Sequence, residues 1–505
     1  MDAVTIDSGW SGRWLGRVLA SLPIILAAGA GVAAWAVFRP GFMDSDTCDH
    51  VNQAVSGKYH DWFSPLVPLV VHWALKAGGG LSTATLFQAV FVAVGVYQMA
   101  LELLQLLTSN RRPVWQTRWA ALAVLAVLLT PFSPLMYYLC HYKNDSLMAG
   151  FLTWAVAGWL CVDRVWNRDP QPGSRVRELA ALLSAIGCTI GAIVIRYNAV
   201  VVLPVFLLLV ALVLGRASRI TAAVAACAIL IGPVAVHRGL LRLTGAEERH
   251  PERQLMAVEL VGMCVERDDL RSKLPYTSGF LIEGRYRTGY APGVVTPVMD
   301  WGPEPDRIVR RGYVWDDYMR LAREYRRAIR IAPWTWLVVK AKAAVASLLD
   351  PMPWWHRREI APNPYGLHFR AEFRSLRSLL LDIDTAIWQD PVLRFVCARH
   401  LPWLVLDLAL LALAGVAAWM SRTRRAAWIA ILLLLALAYY ASHLVAVTVH
   451  DYRFMYPATL MMQILVACGL IRYGWRGLRS YVRAVEEPGL APTPLSHGRA
   501  DAGQL

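Results

Sequence analysis

The chain alternates between long apolar blocks and short polar connections, without the period-2 alternation of half-buried strands. A helix that crosses a bilayer needs ~20 mostly apolar residues. Ten blocks read as such helices: 18–38, 82–107, 114–130, 146–163, 178–195, 199–215, 219–240, 401–420, 426–447 and 455–471. Another apolar stretch, 64–77, is short, opens with Pro65 and Pro68, and ends at Gly78, Gly79 and Gly80. It predicts a helix lying along a membrane face. Residues 241–400 break the pattern, being rich in Arg, Glu, Asp and Pro. Inside them Pro333–Leu349 is apolar but carries Lys340 and Lys342. An interfacial helix is expected there, because a span would invert everything downstream. The tail from Glu486 is polar and Pro-rich and reads as disordered.

This pattern predicts an all-α polytopic membrane protein with about ten transmembrane helices and one large, mostly helical extracytoplasmic domain. The expected divisions are an N-terminal membrane domain, 1–240, with seven spans and the catalytic first outer loop; the extracytoplasmic domain, 241–400; a C-terminal membrane domain, 401–475, with three spans; and a cytoplasmic tail, 476–505, expected to be disordered.

Composition narrows the class. Of 505 residues, 56% are hydrophobic and 17% charged, against about 25% charged in soluble chains. Ordinary soluble enzymes, disordered proteins and collagens are excluded, and eight cysteines are too sparse for a disulfide scaffold. Cys48, Cys140, Cys264 and Cys397 map outside, where an oxidising compartment would permit a disulfide. The net charge of +15 does not indicate nucleic acid, because no basic stripe interleaved with aromatics is present. With ten spans and a cytoplasmic N-terminus, nineteen arginines fall in inside segments and six cations in the short outside loops. That bias matches the positive-inside rule and places both termini in the cytoplasm of a multi-pass plasma (inner) membrane protein. The first block follows Arg13 and Arg17 but leads into Phe38, Arg39 and Pro40 rather than a small-residue cleavage site, so it reads as a retained span. No repeat of 20–50 residues and no symmetric pair of broken helices is visible, which weakens a transporter reading.

Four outside cations stand in dense polar clusters. The first outer loop holds Asp44, Ser45 and Asp46, followed by Lys58, His60 and Asp61. The others are Lys143 with Asn144 and Asp145, Arg196 with Tyr197 and Asn198, and His450 with Arg453. Arg196 lies between two nearly continuous apolar blocks, where a charge is costly unless it faces a polar cavity or a partner. It reads either as a side chain snorkelling to headgroups or as an anion site in company with Lys143 and Arg453. The Asp44-x-Asp46 spacing can hold a divalent cation at Asp46, or set one carboxylate as a general base beside another. It can equally be a helix cap. Trp62, Trp334, Trp336, Trp354 and Trp355 suit anchoring at an interface, and a tryptophan stacking on a sugar would look the same.

The order of these features is a first span, an outer loop with an acidic motif, an aromatic-Pro segment running into a surface helix, and a Lys-Asn-Asp at the fourth span. It resembles the GT-C superfamily of integral-membrane glycosyltransferases, which includes protein O-mannosyltransferases and the lipid A aminoarabinose transferase. The likeness covers roughly residues 15–240, with a weaker echo at 439–457. It implies a polyprenyl-phosphate sugar donor and a cell-envelope glycan, lipid or protein acceptor meeting on the outer face. It also implies Asp44 as catalytic base and Asp46 as its metal-binding or tuning neighbour. Relatives often carry His-Pro-Pro or Lys-Pro-Pro where this chain has Phe63, Ser64 and Pro65; His60 or Lys58 would then substitute.

The chemistry fits independently of the likeness. Sugar transfer from a lipid phosphate needs a base for the acceptor hydroxyl and cations for the departing phosphate. Asp44 and Asp46 are expected to be catalytic, Lys143, Arg196 and Arg453 to bind the donor phosphate, and His60, Asp61, Asp145, Asn198 and His450 to support them. The alternatives are a transporter or flippase of a lipid-linked anion and a non-catalytic envelope assembly protein.

Overall fold

A computed structural model describes residues 9–108, 114–168, 175–215, 218–299, 304–349, 360, 362–446 and 452–486. The described residues form helices joined mostly by short turns, with a longer irregular connection between Gly289 and Tyr318, no named strand and three isolated bridges. The helices in chain order are α1 (Gly9–Phe38), α2 (Ser45–Ser56), α3 (Leu66–Lys76), α4 (Gly80–Thr108), α5 (Val114–Leu128), α6 (Leu135–Cys140), α7 (Asn144–Asp163), α8 (Arg175–Ile195), α9 (Leu203–Leu214) and α10 (Arg219–Thr244). Then come α11 (Glu252–Glu266), the short α12 (Leu270–Lys273), α13 (Pro275–Phe280) and α14 (Tyr286–Gly289), α15 (Tyr318–Ile331) and α16 (Pro333–Leu349). The last are α17 (Arg374–Gln389), α18 (Pro391–Ala398), α19 (Leu401–Ser421), α20 (Arg424–Ala446) and α21 (Tyr452–Glu486).

Among the described residues nine helices are long and apolar enough to cross a membrane, so the chain is an all-α multi-pass membrane protein. Nine of the ten expected blocks are among them. The tenth, at 114–130, is a helix of only 15 residues, α5, packed among α1, α4 and α21. Its turn at Thr130 and Pro131 ends it early. The tail also differs from expectation: α21 continues through 476–486, and the remainder lies outside the described residues.

Helix α7 is the centre of the bundle, with α4 and α8 against it. Small residues set the approach. A Cβ on Gly31 of α1 would stand 2.7 Å from the Ala89 carbonyl oxygen of α4, and one on Gly158 of α7 would stand 2.9 Å from the Ala185 Cα of α8. Without a hydrophobic force between helices in lipid, such close backbone contacts and buried polar bonds hold the bundle.

Two hydrophobic cores are present. One fills the helix bundle, and α17 and α18 join it through Leu380, Ile387, Cys397 and Ala398. The buried Arg377 fastens this segment by donating from Nη1 to the Val37 carbonyl (3.0 Å). The second core is built from α11, α15, α16 and the segments between them. Residues 241–400 therefore comprise two packing units: 252–349 has its own core, while 360–400 belongs to the bundle. All eight cysteines are free.

Candidate functional site

The connections at one end of the bundle, called here the domain end, carry the second core and the polar clusters. The backbone builds the first cluster. After α1, Phe42 donates to the Cys140 carbonyl (2.9 Å), which lays residues 42–44 beside 140–142. Gln88, buried in α4, donates from Nε2 to the carbonyls of Tyr138 (3.0 Å), Leu139 (3.1 Å) and His141 (2.8 Å). One amide thus absorbs the orphan carbonyls at the end of α6. Tyr142 donates its hydroxyl to the Val67 carbonyl (2.8 Å) and locks this segment to α3. Lys143 is then delivered, nearly fully buried, to the start of α2.

There the cap and the cluster coincide. Asp44 is the N-cap of α2: its Oδ1 accepts from the Thr47 amide (2.9 Å) and the Thr47 hydroxyl (3.0 Å). Its Oδ2 forms an ion pair with Lys143 Nζ and lies 3.3 Å from His141 Nε2. Lys143 Nζ also lies 3.6 Å from Asp46 Oδ2. The ammonium stands between the two aspartates, at the spacing that could also hold a divalent ion. Among the described residues no group of three or more His, Cys, Asp or Glu is arranged to hold a metal.

Helix α2 is amphipathic, and Asp46, Asp49 and Gln53 follow one another along one face at three- and four-residue spacing. Asp49 accepts from Gln53 Nε2 (2.8 Å) and lies 3.2 Å from His60 Nε2. Burial alone would raise the Asp49 carboxyl, but the His60 hydrogen bond, the charges of His60 and His50 and the Gln53 amide outweigh it and hold it below the ordinary carboxylate value. His50 is fully buried, and burial keeps its imidazole below the ordinary value against the opposing pull of Asp46, Asp49 and Asp44.

A cavity of about 460 Å³ opens over this face, lined by Asp46, Asp49, His60, Trp62, Arg249 and Trp315 among others. The rings of Trp62 and Trp315 lie 5.6 Å apart at 45°. The far wall belongs to the second core unit, tied down through Asp61. The Asp61 amide donates to the Glu247 carbonyl (3.0 Å), and its Oδ1 accepts from the Arg249 amide (2.5 Å). Asp61 therefore supports the site by holding the strap that carries Arg249.

The second expected cluster is closed. Arg196 has extended backbone between α8 and a 3-10 turn at Tyr197–Val202. Its guanidinium donates from Nε (2.7 Å) and Nη2 to Oδ1 of Asp145, which is 2% exposed, and lies 4.6 Å above the Phe454 ring. Asn198 Nδ2 stands 2.8 Å from His443 Nε2. The side chain of Arg453 and the whole of His450 lie outside the described residues.

The structure thus joins Asp44, Asp46 and Lys143, sets His60 beside Asp49, and pairs Arg196 with Asp145. Of the predicted residues, Asp46 and His60 line the cavity; Asp44, Lys143 and Arg196 do not. The two cations are claimed by carboxylates because a buried charge must be paired. Sequence reading missed Asp49, Arg249 and Trp315. Asp49 had a signal, its three-residue step from Asp46 on a helix face; the other two are brought in only by the fold. No family model, curated protein or solved structure matches the chain.

Proposed function

We propose that this protein is a membrane glycosyltransferase that moves a sugar from a polyprenyl-phosphate donor to a cell-envelope acceptor. The cavity over α2 is its active site, and the arginine bias of the loops supports an extracytoplasmic position for that side. One observation carries the reading: a carboxylate pair, a histidine and two indole rings share a cavity at the end of a membrane bundle, with Arg249 on its wall. Indole faces suit the apolar faces of a pyranose, and a lipid-borne substrate reaches a site at the bundle end.

In this scheme the base is Asp46 rather than Asp44, whose two oxygens are occupied by the cap and by Lys143 and His141. The acceptor hydroxyl gives its proton to Asp46 as its oxygen bonds to the anomeric carbon. The bond from that carbon to the phosphate oxygen breaks, and the lipid phosphate leaves with the electron pair, met by the Arg249 guanidinium, which exchanges its solvent-exposed partner Glu247 (3.1 Å) for the phosphate. Lys143 and Arg196 act behind the site, fixing Asp44, Asp46 and Asp145. The ammonium at Asp46 supplies positive charge there, so no divalent ion is required by this scheme.

The test is turnover of polyprenyl-phosphate sugars by the purified protein in nanodiscs, read as release of polyprenyl phosphate. The parent is expected to consume at least one such donor, and Asp46→Asn to lose most of that activity. A parent that neither binds nor consumes any lipid-phosphate sugar overturns the proposal. Reporter fusions sharpen the sidedness: one near Arg285 is expected to read external, and one after Arg424 cytoplasmic.

A further inference from the structure

Away from the cavity, α15 and α16 form a two-helix surface that the transfer scheme does not use. Helix α15 buries Leu321, Ala322, Glu324 and Ala328 and exposes Arg320, Arg323, Arg326, Arg327 and Arg330. Spacings of three and four residues put these arginines on one stripe. Arg320 pairs with Asp317 at the cap (3.1 Å), whereas Arg327 and Arg330, nearest α16, have no ion pair among the described residues.

Helix α16 continues directly from this stripe and is two-faced. Its inner face is fastened: Glu259, fully buried, meets Lys340 Nζ at 2.5 Å and accepts from Trp336 Nε1 (2.6 Å). Its outer face is apolar and bare. Trp334 is 78% exposed, and Leu337, Val338 and Val345 follow it on the same stripe, each more than two-fifths exposed. One residue of that outer face carries charge, Lys342, and it is paired with Glu266 (2.6 Å). The helix also packs on α20, one of the helices long and apolar enough to span. An exposed Trp-Leu-Val stripe beside a spanning helix belongs in hydrocarbon, and arginines one turn beyond it fall at headgroup depth.

We infer that α15 and α16 form a membrane-surface clamp that binds anionic phospholipid headgroups, with the Trp334 stripe in the acyl region and Arg327 and Arg330 on the lipid phosphates. Charge complementarity selects the occupant: five arginines on 14 residues face an exposed side that holds no carboxylate beyond the Asp317 cap. Each arginine near a charged membrane surface favours binding by about fivefold, the equivalent of about 1 kcal/mol.

The experiment uses the full chain in nanodiscs of phosphatidylcholine with or without phosphatidylglycerol. Bound lipid is counted by native mass spectrometry, and protection of α15 and α16 is followed by hydrogen exchange. The parent is expected to retain phosphatidylglycerol selectively, and to gain protection over 318–338 when it is present. Arg327→Gln with Arg330→Gln should reduce that selectivity by more than tenfold, while the helical content and the turnover of the parent persist. Selectivity unchanged in the double variant overturns the inference. So does protection of α15 by a soluble acidic polysaccharide but not by phosphatidylglycerol, which would assign the surface to a glycan. Neither result touches the cavity reading, whose own test is donor turnover.

Discussion

The two ends of the bundle use the same ionic chemistry to opposite effect. At the end away from the second core, Glu102 receives Arg164 through Nε (3.0 Å) and Nη2 (2.6 Å). Asp163 there accepts from Arg424 Nε (2.7 Å) and Trp428 Nε1 (3.0 Å). Each carboxylate has its own arginine, and the helices close over the pair. At the domain end, Asp44, Asp46 and Asp49 crowd around one ammonium, Lys143, and two imidazoles, His60 and His141, and a cavity opens onto two of the three carboxylates. Matched pairs staple helices together. A surplus of carboxylate beside an open space is costly to fold, and it leaves a group with capacity to take up a proton. Arg196 with Asp145 belongs to the stapling kind although it sits at the domain end.

The largest expected difference between the ends is in turnover. Asp46→Asn keeps the size and polarity of the side chain but cannot accept a proton. A donor-consumption assay on purified protein should show a loss of ~10²–10⁴, the usual cost of removing a general base. Asp163→Asn, at the other end, should lower the yield of folded protein and leave turnover per folded molecule near the parent. Equal turnover losses in the two variants would erase the distinction.

Stability separates the pairs next. Arg196→Ala strands a carboxylate that is 2% exposed. Breaking a buried pair from one side costs ~3–5 kcal/mol, so thermal unfolding in detergent should fall sharply. Asp145→Asn in the same chain should recover most of the loss, since neither charge then remains unpaired. Lys143→Met should cost less, because Asp44 is 30% exposed on its side chain and water screens what the ammonium leaves behind. A double variant no better than Arg196→Ala alone would mean that Arg196 works through something other than Asp145.

These pairs also mark how far the sequence could be read. The membrane helices were legible because 18 or more apolar residues are a signal no soluble element imitates. At 114–130 the structure trims the expected block without removing it: the helix stops at Leu128, ahead of Thr130 and Pro131, and still carries the chain to the end where Lys143 meets Asp44. The clustering of Asp44, Asp46 and Lys143 was legible as depth, since span boundaries put all three at one membrane face. Which cation would be taken by which carboxylate was not legible. That depends on Gln88, a polar residue inside an apolar block, and on Tyr142 in the connection itself, which fix the 140–143 segment through partners about 50 to 75 positions away. Arg249 and Trp315 were hidden for the same reason: the Asp61–Arg249 bond joins loops 188 residues apart.

Acid should act on the open end first. His50 is held below the ordinary imidazole value, so the unfolded chain binds more protons than the folded one below pH ~6.5, and stability falls as pH drops through that region. Asp49 is held below the ordinary carboxylate value, so its contribution is present above pH ~3.9 and disappears as pH falls through the depressed value. Unfolding followed against pH should show both windows. His50→Gln should flatten the upper one and leave the lower in place. An unchanged upper slope would show that another group titrates there.

The smallest expected effect is at Asp44, and it decides between two roles for one residue. Asparagine caps a helix about as well as aspartate, so the Thr47 contacts survive in Asp44→Asn. Lys143 keeps Asp46 within reach, and with Asp44 neutral the ammonium has one carboxylate to serve instead of two. The cavity-facing group then feels a stronger positive neighbour and becomes a somewhat weaker base. Turnover should fall by less than about tenfold, with melting temperature close to the parent, because a single general base accounts for far more than that when it is lost. A loss matching that of Asp46→Asn would return the proton-accepting role to Asp44, and the cavity would then have to be entered from the Lys143 side.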